Sequence, residues 1–150
     1  MKTNKFLLSV LSLFLMFSCS NDDDSNNSSL IVGKWTFEIE TLNRYYTDGT
    51  EETETAEWTH HCSSTKDYIE YRNDGTGVWI EYDENCEEDI FDFEYNVSGN
   101  ILTHTYIEFE EEATDTLEII SLNNNTFTYK YTESPPGIGT YESIIELSRD

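Results

Sequence analysis

The residues of this sequence whose types suit chemistry are its cysteines, a pair of adjacent histidines and its clustered carboxylates. Cys19 stands alone where an apolar run meets a polar stretch, in "FSCSNDDDSNNSS" (residues 17–29). Cys62 and Cys86 follow much later, too far apart for Cys-x-x-Cys redox chemistry. In an oxidising compartment such a pair bonds; a metal or redox pair is the alternative. His60 and His61 sit in "EWTHHCS" (residues 57–63). Neighbours on a strand point to opposite faces, so the two do not chelate one ion well. One of them with Glu57 has the ligand types for a divalent metal, while a polar loop beside a cysteine is the plainer reading. His104, between Leu102 and Tyr106, reads as an outward residue.

Carboxylates cluster in "EETETAE" (51–57), "DENCEED" (83–89) and "EFEEE" (108–112). Such oxygens suit Ca²⁺, but no EF-hand spacing occurs, and the plain reading is a solvated anionic surface. No GxSxG elbow, HExxH pair or glycine-rich phosphate loop is present. The expectation is therefore a protein that is not an enzyme, with no metal site and no cofactor.

The start of the chain places these residues. "MKTNKFLLSVLSLFLMFS" has Lys2 and Lys5, then a mostly apolar run from Phe6 to Phe17, then a small residue. A bilayer span needs about 20 apolar residues, so this run reads as a secretory signal peptide over residues 1–18. "MFSC" at Met16–Cys19 resembles the lipobox of bacterial lipoproteins. That resemblance implies cleavage before Cys19 and acyl chains on its thiol and amine. A membrane partner through this lipid anchor follows, with two or more chains holding firmly where one does not. "SNDDD" resembles an acidic export signal of surface lipoproteins, so the expected location is the outer membrane, lipid-anchored, with the outward face implied by that signal and the periplasmic face left open. A plain solvated tether is the other reading of that stretch. Residues 19–29 read as the lipidated cysteine and a flexible polar tether. Export also makes a Cys62–Cys86 disulfide the expected state of the pair.

The formal charge of −23 becomes −25 once Lys2 and Lys5 are removed. Phosphate binding needs Lys and Arg, so nucleic acid is not an expected partner. The sequence fixes no oligomeric state.

Residues 30–150 must build whatever site exists. Trp35, Phe37 and Ile39 alternate with Thr36, Glu38 and Glu40, the period of a half-buried strand. Like patterns follow at Ile69/Tyr71, at Val78/Ile80/Tyr82 and at Phe91/Phe93/Tyr95/Val97. Others run through Ile101/Thr103/Thr105/Ile107/Phe109, Phe127/Tyr129/Tyr131 and Tyr141/Ser143/Ile145/Leu147. "NDGTG" (73–77), "SGN" (98–100), "LNNNT" (122–126) and "SPPGIG" (134–139) are turns between them. Residues 43–57 have the weakest pattern and read as a long loop or frayed hairpin. No segment carries a helical period. Eight or nine antiparallel strands with short connections predict an all-β, up-and-down barrel, which hides its edges; an open sandwich is the rival.

The order of elements is familiar. "LIVGKW" (30–35) opens the domain, "KDYIEYRNDGTG" (66–77) lies between the two cysteines, and "YNVSGNILT" (95–103) and "LEIISLNNNTFTYKY" (117–131) follow. The series resembles the lipocalin-like domain of small bacterial lipoproteins, and Gly33-Lys34-Trp35 echoes the G-x-W opening of lipocalins. The resemblance implies a barrel closed at one end by Trp35, with a small-molecule pocket. Trp35, Phe37, Tyr71, Phe93 and Tyr95 are the candidate ligand-binding residues, aromatic rings with hydroxyl handles. The expected ligand is small and apolar or amphipathic. The same rings could instead fill the barrel. The protein would then be a surface module whose acidic exterior meets a protein, glycan or cation.

Overall fold

The structure is a computed structural model and describes residues 23–149. The signal peptide and the Cys19 anchor lie outside the described residues. The first element is a helix, α1 (Asp23–Ile31), followed by nine strands. They are β1 (Gly33–Tyr46), β2 (Glu51–Glu57), β3 (Tyr68–Tyr71), β4 (Thr76–Tyr82), β5 (Glu88–Ser98), β6 (Ile101–Glu108), β7 (Glu111–Leu122), β8 (Thr126–Glu133) and β9 (Gly139–Arg149).

The strands pair antiparallel in the order β2-β1-β3-β4-β5-β6-β7-β8-β9, and β9 closes back onto β1. Eight of them form the closed barrel and β2 is the extra strand. β1 is long enough to serve both: Gly33–Thr36 pair with β3, and Ile39–Tyr45 pair with β2 along the same edge. Residues 43–57, expected as a loop or frayed hairpin, thus form a regular hairpin that extends the barrel wall and is exposed along all of β2. Its turn uses the same device as the next one. Asp48 Oδ1 accepts from the backbone N–H and hydroxyl of Thr50, and Asp74 Oδ1 accepts from those of Thr76. Each Asp-Gly-Thr is an Asx-turn.

Trp35 closes one end of the barrel, as its place in the opening motif implies. It is fully buried, its indole Nε1 donates to the Ile31 carbonyl at 2.6 Å, and the Arg149 guanidinium lies 4.2 Å over its ring. Gly33 adopts φ +133°, a left-handed conformation that keeps the chain close beneath Arg149. α1 plugs this end. Its presence corrects the expectation of a flexible tether through residue 29. The segment is too polar to hold a helix alone, and docking supplies the stability. Ile31 is fully buried, Asn27 Nδ2 donates to Gly99 O at 2.9 Å, and Arg149 donates to the Leu30 carbonyl.

Inside, Trp35, Phe37, Ile69, Tyr71, Phe93, Leu102, Leu117, Phe127, Tyr129, Ile145 and Leu147 form one core. A second, smaller core lies on the outer face of β4, where Val78, Ile80 and Tyr82 pack with Tyr68 and Cys62. The Cys62–Cys86 disulfide is formed, with Cα atoms 4.9 Å apart. It fixes the segment from Trp58 to Asp67 over that face. Asp67, 2% exposed, completes the clasp: its carboxylate accepts from Trp58 Nε1 at 3.0 Å and from Tyr82 N at 2.9 Å.

β6 corrects a second expectation. Leu102 and His104 point inward and are buried, while Ile101, Ile107 and Phe109 are exposed. Alternation was read properly but assigned to the wrong face, and His104 is a core residue.

Candidate functional site

The β5–β6 ladder is shorter than the strands that form it. β4 pairs with β5 from Thr76–Glu94 to Tyr82–Glu88, and β6 pairs with β7 out to Glu108–Glu111. The ladder between β5 and β6 covers only Ser98–Ile101 to Glu94–Thr105. Beyond Glu94 and Thr105 the two strands separate, each still held by its other neighbour. The gap is a lateral cleft of about 750 Å³. A shallower groove of about 380 Å³ adjoins it, sharing Asp92, Phe93, Tyr106 and Ile107.

The cleft's inner wall is Trp79 of β4, Phe93 of β5 and His104 of β6. Phe93 lies flat because its cross-strand partner is Gly77: a Cβ there would sit 2.3 Å from the ring. His104 stacks on Phe93, with centroids 4.4 Å apart, and its Nε2 lies 3.0 Å from the Tyr71 hydroxyl. Burial lowers the His104 pKa to about 4, so the imidazole is neutral at neutral pH. Burial pushes the Tyr71 phenol well above its ordinary range, so it keeps its proton for this contact. Trp79 Nε1 is buried without a hydrogen-bond partner.

The mouth is apolar and open. Ile90 is 55% exposed, Phe91 53%, Ile107 71% and Phe109 93%. Four apolar side chains this open around one cleft are a surface that a ligand would cover. Phe109 and Glu110 make the β6–β7 turn with φ +51° and +69°, a strained conformation for residues with a Cβ. The lining also carries Glu81, Asp92, Glu108 and Asp115. Tyr106 donates to Asp115 at 3.1 Å. Burial, with Asp67 and Asp89 nearby, raises the Glu81 pKa.

Of the five residues singled out as ligand-binding, Phe93 lines the cleft. Trp35, Phe37 and Tyr71 are closed into the core, where Phe37 stacks on Trp58 at 4.5 Å and Tyr71 meets Phe93 edge-on at 5.7 Å. Tyr95 is half-buried on the far side of Tyr71 and donates to Arg72 O at 2.8 Å. Rings fill the Trp35 end of the interior, and the space opens instead at the side, where Phe93 alone of the five lies. Trp79, His104, Tyr106, Ile107, Phe109, Glu81 and Asp115 were missed. The "EFEEE" turn, with an aromatic at its tip, was the one local signal.

His60 does not pair with Glu57. Its Nδ1 accepts from Asp67 N at 3.0 Å and its Nε2 reaches Phe37 O at 3.0 Å, both structural contacts. Among the described residues no group of three or more His, Cys, Asp or Glu is placed to hold a metal.

The closed antiparallel barrel is of the calycin type. The chain belongs to the lipocalin-like domain family, whose model matches residues 31–129. Among solved structures it is similar to a lipocalin-like protein from Bacteroides uniformis, at 16% identity and TM-score 0.45, covering 77% of this chain and 96% of that one. It is also similar to the bovine lipocalin allergen Bos d 2, at 14% identity and TM-score 0.47, covering 83% and 75%. A third is aphrodisin, a sex pheromone from female hamster, at 7% identity and TM-score 0.43, covering 80% and 75%. No curated protein sequence matches the chain.

Proposed function

We propose that this protein is a non-catalytic binder that takes one small apolar or amphipathic molecule into the cleft between β5 and β6. The observation that carries the reading is the early end of the β5–β6 ladder, which opens a cleft of about 750 Å³ walled by Trp79, Phe93, Phe91 and Ile107. That volume is in the range of sites for drug-sized ligands. Membership of the lipocalin-like family supports a small lipophilic ligand. The apolar mouth gives the ligand's tail a place to lie, and the carboxylates give a polar end to meet.

The sequence pattern at Met16–Cys19 supports anchoring to the outer membrane through a lipid on Cys19. The domain would then face its ligand from a membrane surface.

Titration with the neutral fluorescent lipophile N-phenyl-1-naphthylamine tests the reading. One saturable site per chain, weakened about tenfold or more by Phe93→Ala, is expected. Emission that never saturates, or that Phe93→Ala leaves unchanged, would contradict it.

A further inference from the structure

We infer that the ligand of this cleft is cationic: an organic ammonium or related positive group on an apolar body. The inference rests on the cleft being the binding site and adds the sign of the charge.

The lining carries four carboxylates, Glu81, Asp92, Glu108 and Asp115, and no lysine or arginine. The adjoining groove adds Glu94 and Glu112 against one cation, Arg72. Elsewhere among the described residues the cations have other work. Lys66 pairs with Glu38, Arg44 with Glu54, and Lys130 with Glu118. Arg149 lies over Trp35 and Lys34 over Tyr68. The carboxylates of the cleft are therefore not neutralised from within their own walls.

Their setting turns charge into selectivity. Walls of low dielectric focus the field of like charges into a cleft, so an anion is excluded and a cation is concentrated. Glu81 is partly withdrawn from water beside other carboxylates, a position that a bound cation relieves. Trp79, Phe91, Phe93 and Tyr106 are aromatic rings of the same lining, and aromatic rings attract ammonium groups. His104 adds no positive charge, because it is held neutral. Aromatic rings, carboxylates and an apolar mouth together match an amphipathic cation better than a fatty acid, whose carboxylate would meet only like charges.

The test is displacement of N-phenyl-1-naphthylamine from the purified chain in detergent-free buffer. Three probes of equal tail are used below their micelle-forming concentrations: dodecyltrimethylammonium, dodecanol and dodecanoate. Dodecyltrimethylammonium should displace the dye at about tenfold or more lower concentration than dodecanol, with dodecanoate the weakest. The Glu81→Gln/Asp115→Asn variant should bring cation and alcohol within about twofold while still binding the dye. Glu51→Gln/Glu52→Gln on exposed β2 makes the same charge change away from the cleft and should keep the preference. Equal displacement by all three probes overturns the cationic class and leaves the cleft as the site. Loss of preference in the β2 variant also overturns it, since overall charge would then be the cause. Failure of the dye itself to bind overturns both readings.

Discussion

Tyr71 Oη and His104 Nε2 lie 3.0 Å apart inside the barrel, with both residues buried. This contact joins the packed core to the cleft, since Tyr71 meets Phe127 and Phe93 while His104 lines the opening. It also makes stability depend on pH. The folded imidazole titrates near 4 and the unfolded one near 6.5. Between those values the unfolded chain binds more protons, so stability falls as pH drops from about 6.5 to about 4. The loss reaches roughly 3 kcal/mol. Hydrogen bonds hold Asp48, Asp74 and Asp83 below the usual carboxylate range, and their contribution is lost only at lower pH. Denaturation curves of wild type and His104→Gln should converge as pH falls through this window. A difference between them that stays constant from pH 7 to 4 would refute the assignment.

Gly77 is where a methyl group should do most harm to the cleft. Its added Cβ would meet the Phe93 ring at 2.3 Å and the Glu70 carbonyl at 2.9 Å. Gly77→Ala should cost roughly 1–3 kcal/mol through overpacking. It should also weaken dye binding, because Phe93, whose ring must give way, lines the cleft. Adding Phe93→Ala should recover part of the lost stability, as expected for residues in contact. Additive losses in chemical denaturation would argue against the contact.

The β6–β7 turn separates stability from binding. Glu110 has φ +69° and Phe109 φ +51°. Glycine at either position should stabilise the fold by about 1 kcal/mol, because the left-handed conformation then carries no Cβ penalty. Only Phe109→Gly should also weaken dye binding, since Phe109 lines the cleft. Melting and dye titration on both variants check this. Equal dye affinity in the two would remove Phe109 from the site.

The lipid anchor proposed at Cys19 predicts a mass and a location. Intact-mass measurement of the membrane fraction should find an N-terminus beginning at Cys19 and carrying acyl chains, and Cys19→Ser should abolish both the adduct and the anchoring. An unmodified Cys19 in the released protein would exclude the anchor.

Much of the barrel was legible because alternation marks half-buried strands and Asp-Gly-Thr marks their turns. The phase of that alternation was less secure. In β6 the apolar residues Ile101, Ile107 and Phe109 are the exposed ones, and Leu102 with His104 faces the core. Period two fixes neither face alone, and a histidine can enter a core once Tyr71 satisfies it. α1 was illegible because its polar sequence gains stability only by docking Ile31 and Asn27 onto the barrel end. The cleft was illegible for a related reason. It exists where a ladder stops, and where two strands part depends on pairings around the whole barrel. Phe93 was legible as an inward ring, whereas Trp79 and Asp115 join it only through registers on β4 and β7.

The most direct measurement is amide hydrogen exchange on the chain with and without saturating N-phenyl-1-naphthylamine. If the cleft is the ligand site, added protection should centre on residues 90–93 and 104–109, the two strand segments that part from each other. Protection that instead appears around Trp35 and α1, or that spreads evenly over the barrel, would contradict it.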